Sequence, residues 1–364
     1  MRFGIAKLLL RGVLAAAVVV VLLIALALTR LAWLGFDVAR GLSSLASPTP
    51  AAVLDNPQLP QVDAYQVTWQ ANLTDLALNE SSGLTSSQRV PDLLWSINDS
   101  GGGPELFAVG LDGHTYGRYT VNTDADLDWE ALDSFTDKNG VSYLVIGDIG
   151  DNLNWRPYVD LLLVVEPHVS LASHNLAWTE SEYQPSATLP VARQVRVTYP
   201  DGARDSEAMA VDLARERILL LSKRDQPPEL YAVGLYAEGE VIADHIATLE
   251  HFPMPTEADF YMEPRQARYK YMPSGMDVMK DNLLITTYQP LFLFALSDLS
   301  TPPLELDMPR IGQREAISFL NDSETEAVLT RERRKGTGPA ELFTLELLMQ
   351  PTESERAAAD EVAE

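Results

Sequence analysis

The chain has 364 residues, is 46% hydrophobic and carries a formal net charge of −25, which supplies material for a sizeable core and the wrong sign of charge for nucleic acid. It contains no cysteine, so a disulfide framework, a thiol nucleophile and a cysteine zinc site are excluded. An acidic surface of this kind suits solubility or metal cations.

The N-terminus reads as a separate object. Residues 1–11 hold Arg2, Lys7 and Arg11, and the run from Gly12 to Thr29 has no charge. At ~1.5 Å per residue that run spans about 27 Å, close to the thickness of a hydrocarbon core. Positive charge ahead of it predicts a cytoplasmic N-terminus, a membrane anchor over 12–29 and an exported remainder. The alternative is a cleaved signal peptide, with "ALA" at Ala25–Ala27 as the cleavage site and a secreted product. The apolar run exceeds the usual ~7–15-residue signal core, which favours a retained anchor. Residues 30–60, which include "SSLASPTPAAVLDNPQLP", read as a Pro/Ser-rich tether. Residues 61–350 read as the folded domain and 351–364 as an acidic, disordered tail.

The folded domain repeats itself. "PELFAVGL" at Pro104 returns as "PELYAVGL" at Pro228 and as "PAELFTLEL" at Pro339. Each follows a β-type run and a polar loop: "LLWSIND", "ILLLSKRD" and "AVLTRERR". Weaker copies are "YLVIGD" before "DLLLVVEP" and "LLITTY" before "LFLFAL". Upstream of each lies another recurring string: "SSGL", "DWEAL", "DSEAM", "PSGMDV" and "REAISF". Aligned on the apolar residue, these place Ser82, Glu130, Glu207, Ser274 and Glu315 at one position. A unit of three or four short strands with no helical pattern between copies predicts an all-β fold, a five-bladed β-propeller preceded by one N-terminal transmembrane helix. The wide gaps after Glu130 and Glu207 leave room for a degenerate sixth blade. The last repeat lacks an outer strand, which "AYQVTWQA" from Ala64 would supply, closing the ring and removing an open sheet edge. "PELFAVGL" is then the third strand of a blade, scaffold and not site.

The chemistry is expected at the channel mouth, where inner strands begin and the loops between second and third strands emerge. Ser82, Glu130, Glu207, Ser274 and Glu315 would form a ring of oxygens there. Converging carboxylates repel unless they are protonated or bound to a cation. Oxygen ligands without His or Cys favour Ca²⁺ before Mg²⁺. The structural alternative is that these side chains hydrogen-bond the backbone of neighbouring blades. "NTDADLDWE" places Asp128 among alternating acids, but Trp129 and Phe135 stand where an EF-hand needs Gly and Glu. "GDIGDN" contributes Asp148, Asp151 and Asn152, which serve equally as turn residues. Lys223, Arg224, Arg331 and Arg333 fall at the same face, to grip a phosphate or to neutralise the acids. Asp99, Asp148 and Asp205 are the candidate catalytic bases. No G-x-S-x-G elbow, P-loop, G-x-G-x-x-G or H-x-x-x-H pair is present.

"ESSGL", "LLWSINDSG", "DWEAL", "YLVIGDIGDN", "DSEAMAVD" and "REAISF" resemble a family of uncharacterised bacterial secreted or membrane-bound propellers over residues 80–345. The order Ser, Glu, Glu, Ser, Glu is also similar to the calcium-activated apyrases, five-bladed propellers with one axial Ca²⁺. That resemblance implies calcium-facing roles for Ser82, Glu130, Glu207, Ser274 and Glu315, an acidic loop at Asp99 and a basic nucleotide contact near "SKRD". The Lys/Arg residues of the second blade of apyrases are replaced here by "GDIGDN". The expected protein is a single-pass protein of the bacterial inner membrane with a periplasmic, calcium-binding propeller. It would serve as a binding module for an envelope protein, a polymer or a small ligand. The alternative is a calcium-dependent phosphoester or ester hydrolase, apyrase-like or phytase-like.

Overall fold

The computed structural model describes residues 2–46, 52–60, 65–99, 101–171, 187–306, 308, 314–331 and 340–347. A long helix, α1 (Arg2–Trp33), is followed by a short one, α2 (Val38–Ala46), and then, among the described residues, by strands only, apart from α3 (Glu257–Met262) and two single 3₁₀ turns. The first strand is β1 (Tyr65–Asn72). Blade one is β2 (Ser81–Ser86), β3 (Leu93–Asn98), β4 (Glu105–Gly110) and β5 (Thr115–Asn122). Blade two is β6 (Trp129–Thr136), β7 (Ser142–Asp148), β8 (Val159–Val165) and β9 (Ala187–Thr198). Blade three is β10 (Ser206–Asp212), β11 (Arg217–Ser222), β12 (Glu229–Gly234) and, after β13 (Gly239–Ile242), β14 (Asp244–Thr248). Blade four is β15 (Pro273–Met279), β16 (Asn282–Thr287), β17 (Leu291–Ala295) and β18 (Leu304–Leu306). Blade five is β19 (Arg314–Phe319), β20 (Glu326–Arg331) and β21 (Glu341–Leu347), completed by β1.

The inner strands close a circle: β2 packs beside β6, β6 beside β10, β10 beside β15, β15 beside β19, and β19 beside β2. The fold is therefore a five-bladed β-propeller. β1 pairs antiparallel with β21, Asn72 opposite Glu341 and Tyr65 opposite Leu347, so the chain's first strand closes its last blade. The wide gap after Glu130 holds β9, 12 residues long, which pairs with β8 and also runs parallel to β5 and β13 at its two ends. β9 thereby joins the outer edges of blades one and two and takes β13, from the connection between β12 and β14, as a further partner. The gap after Glu207 holds β13 and the α3 segment. Among the described residues no sixth blade is present.

The core is divided into five apolar clusters, one in each space between neighbouring blades. Strand alternation explains the repeated spelling of β4. Leu106 and Ala108 point into the cluster shared with blade two, while Phe107 and Val109 point into the cluster shared with blade five. Both faces of a blade are buried, so its third strand must be apolar throughout.

Parts of residues 30–60 touch the ring at separate points. The Asp37 amide donates to the Trp155 carbonyl at 2.8 Å, and the Phe36 and Trp155 rings meet edge-on with centroids 5.6 Å apart. Gly41 lies so close to the Trp155 ring that a Cβ there would sit 2.7 Å from it. Further along, Val53 bridges to Thr256, Asn56 exchanges hydrogen bonds of 2.9 Å with Met254, and buried Leu59 enters the cluster between blades three and four. Within α1 the window Ala16–Trp33 is apolar, long enough to cross a membrane, and has no residue buried against the propeller.

Candidate functional site

In every blade the inner strand skips one residue against the second strand, and the skipped residue is the recurring Ser or Glu. Ser81 faces Asn98 and Gly83 faces Ile97, which leaves Ser82 out of the ladder. The same skip isolates Glu130 between Trp129 and Ala131, Glu207 between Ser206 and Ala208, Ser274 between Pro273 and Gly275, and Glu315 between Arg314 and Ala316. A bulge of this kind bends the strand and re-aims one side chain. The next residue is always Gly or Ala because inner strands converge here. A Cβ on Gly83 would lie 2.7 Å from the Leu132 backbone nitrogen, and one on Gly275 would lie 3.0 Å from the Glu315 carbonyl oxygen.

The five bulge residues are all buried, but they do not act alike. Ser82 Oγ donates to the Trp129 carbonyl at 3.0 Å and Ser274 Oγ to the Arg314 carbonyl at 2.8 Å, so both hydroxyls tie a blade to the next. Glu207 forms an ion pair with Lys223. Burial pushes Glu207 up to about 7, against the pull of Lys223. Burial alone would lower Lys223, but Glu207, Tyr288, Glu315 and Asp205 outweigh it and hold the ammonium charged. That ammonium lies 5.7 Å from the Tyr288 ring centroid.

Glu130 belongs to a different group. Carboxylate oxygens of Asp99, Asp128 and Glu130 all lie within 4.8 Å of one another. Asp99 comes from the β3–β4 loop, Asp128 from the β5–β6 connection and Glu130 from the bulge in β6. Burial pushes Asp128 up to about 6, with Asp99 and Asp205 adding to it and Arg156 opposing. Burial, then Glu207, Asp99 and Asp128, push Glu130 well above the usual carboxylate range. Asp128 and Glu130 resist ionising in these surroundings, and a cation between them would reverse that resistance.

The β7–β8 loop is a framework of carboxylates around Arg156. Asp148 Oδ1 accepts from the Asp128 amide and from Arg156 Nη1, both at 2.9 Å. Arg156 Nη1 also donates to the Gly150 carbonyl at 2.7 Å. Asp205 Oδ1 accepts from the Asp151 amide at 2.8 Å, and Asp205 Oδ2 is paired with Arg224. Arg224 also donates to Asn152. Asp148 and Asp205 therefore spend their oxygens on loop geometry, and of the three candidate bases Asp99 stands in the acidic group. Asp151 Oδ2 accepts from the Arg156 amide at 2.8 Å, while Asp151 Oδ1 is buried with no hydrogen-bond partner among the described residues. Arg331 is ion-paired with Glu341 across β20 and β21. Arg333 lies outside the described residues, as does the 351–364 tail.

Sequence reading missed Arg156, Tyr288 and Asn154. Arg156 had a usable signal, being the one base in a loop that carries Asp148 and Asp151. Asn154, whose Oδ1 accepts from the Asp205 amide at 2.9 Å, and Tyr288, beside Lys223, had none, because both act through residues distant in sequence.

At the opposite end of the channel is a cavity of about 350 Å³ whose lining includes Thr85, Asp133, Asp277 and Ser318. Asp133 accepts from the Val211 amide and Asp277 from the Phe319 amide at 2.7 Å, each reaching to the next blade.

No sequence family profile matches the chain, and no curated protein does. Solved structures similar to it include the PQQ-bound aldose sugar dehydrogenase of Streptomyces coelicolor, 11% identical over 79% of this chain and 99% of that one, with a TM-score of 0.44. The gluconolactonase XC5397 of Xanthomonas campestris is 15% identical over 83% and 98%, with a TM-score of 0.39. The WD40 domain of Neurospora crassa Pan2 is 9% identical over 80% and 99%, with a TM-score of 0.37. At these values the likeness says nothing of activity, and the fold stands on the closed ring of five blades.

Proposed function

We propose that this is a membrane-anchored propeller of the bacterial envelope that holds a divalent cation at its channel mouth and uses that mouth as a binding surface. The carrying observation is the approach of Asp99, Asp128 and Glu130 oxygens to within 4.8 Å at one end of the ring. An all-oxygen set fits Ca²⁺ better than Mg²⁺, which demands a stricter octahedron. Glu130 is one of the five bulge residues that the repeat singles out, and Asp99 and Asp128 complete its group. Glu207, Glu315, Ser82 and Ser274 stand around the same mouth. The apolar window in α1 supports an anchor, with residues 1–11 cytoplasmic and the propeller periplasmic. Calorimetric titration with Ca²⁺ tests the site. Uptake of one ion, abolished in Glu130→Gln and Asp128→Asn and kept in the surface control Glu238→Gln, is the expected result. No uptake by the wild type would remove the cation from the reading.

The second reading is calcium-dependent hydrolysis of a phosphoester or ester, in the manner of apyrases or phytases. The observation in its favour is that Lys223 and Arg224 share one mouth with the acidic group, an arrangement able to steer a phosphate. A turnover screen over nucleotides, phytate and aryl esters, with and without Ca²⁺, decides it. Turnover lost on chelation and in Asp128→Asn supports hydrolysis, and silence on every class leaves the binding module.

A further inference from the structure

The anchor is not joined to the propeller at random. Only Leu34, Gly35 and Phe36 separate Trp33, the last residue of α1, from Asp37, whose amide is bonded to the Trp155 carbonyl. Three or four fully extended residues reach at most about 10–14 Å. Trp155 belongs to the β7–β8 loop, the same loop that carries Asp148 and Asp151. α2 continues over that face: Gly41 lies on the Trp155 ring, and Ser44 approaches the Asn154 side chain at 3.5 Å. Asn154 in turn holds the Asp205 amide. The end of the apolar helix is thus fixed beside the acidic mouth and not at the opposite end of the ring.

The rest of that face fits the same neighbour. Connections that lead into inner strands all emerge at the mouth, and several carry exposed apolar side chains. Leu76 precedes β2, Leu127 precedes β6, and Tyr261 and Met262 precede β15, with Tyr261 85% and Met262 75% exposed. Exposed Arg265 follows Tyr261 and Met262 in sequence, with exposed Glu257 and half-buried Glu263 in the same connection. Exposed tyrosine is enriched at membrane–water interfaces, and arginine near the surface attracts anionic headgroups.

We propose that the propeller sits mouth-down on the bilayer, with the α3 connection and Leu127 at headgroup level, so that the Asp99–Asp128–Glu130 group opens toward the membrane surface. This rests on the anchor reading and adds to it the class of ligand. What reaches the mouth is carried on or in the headgroup layer, such as a lipid headgroup.

The cysteine-free chain makes the test direct. Single variants Leu127→Cys and Tyr261→Cys at the mouth, and Asn139→Cys in the exposed turn at the opposite end, are labelled with an environment-sensitive fluorophore. The full-length protein is placed in nanodiscs of anionic lipid that contain a nitroxide headgroup quencher. Quenching several-fold stronger at residues 127 and 261 than at 139 is the expected result. Equal quenching at all three, or stronger quenching at 139, in protein that has entered the nanodisc overturns the orientation alone. Protein that stays out of the nanodisc overturns the anchor reading and the orientation with it.

Discussion

Gly83 shows how little room the inner ring leaves. A methyl group there would meet a backbone nitrogen, which cannot turn aside as a side chain can. Gly83→Ala is expected to lower stability by about 1–3 kcal/mol, measured by denaturant unfolding. Gly275→Ala, whose nearest contact is at 3.0 Å, should cost less. An equal or reversed order would mean that the inner strands separate more easily than their spacing implies. The serines make a related point. Ser82 and Ser274 have the same place in the repeat as the glutamates, yet their short side chains reach only the neighbouring carbonyl, while glutamate reaches into the mouth.

At the scale of elements, β1 is the closing piece. Its pairing with β21 covers an edge that would otherwise expose a row of unpaired amides and carbonyls. Removal of Tyr65–Asn72 should lower the melting midpoint by many degrees and promote association, read by calorimetry and light scattering. An unchanged midpoint would show that blade five holds without it. The 52–60 segment is a second strap. Leu59 is buried between blades three and four, so Leu59→Ala is expected to cost about 2 kcal/mol or more and to open that segment to protease. Protease resistance equal to wild type would assign the strap's hold to Val53 and Asn56 instead.

The whole molecule carries buried acids at both ends of one channel, and their titration should be visible in its stability. Burial pushes Asp277 up to about 6, and burial together with Asp277 pushes Asp133 well above the usual range. An unfolded Asp ionises near pH 4, whereas the folded Asp277 keeps its proton to about 6. Between those values the native state binds more protons than the unfolded state, so stability falls as pH rises through that window. Chelated protein is therefore expected to melt higher at pH 5 than at pH 7, and Asp277→Asn should flatten that difference. A melting point that rises from pH 5 to 7 in chelator would contradict the burial of these groups. The proposed Ca²⁺ site is at the other end. A ligand that binds only the native state adds about 2.7 kcal/mol at a hundredfold excess over its Kd. Restored melting at pH 7 by Ca²⁺, better than by Mg²⁺, and its loss in Glu130→Gln are the expected results.

The repeated strings were enough, by themselves, to indicate a propeller, the role of "PELFAVGL" and the strand that closes the ring, while the choice of five blades over six waited for the ring itself. Each depends on local pattern, since a blade's strands are neighbours in sequence and must be apolar where both faces are buried. The common position of Ser82, Glu130, Glu207, Ser274 and Glu315 was legible for the same reason: a bulge recurs wherever the blade recurs. How those five divide was decided by the tertiary structure alone. Glu207 goes to Lys223 because the β11–β12 loop of its own blade projects a cation at it, while Glu130 meets Asp99 from the blade before. The identity of a glutamate's neighbour depends on which loops converge across blades, and that is a property of the closed ring and not of any one repeat. The docking of α2 on Trp155 was equally out of reach. It rests on contacts between residues more than a hundred positions apart, in a segment whose Pro and Ser content reads as a free tether.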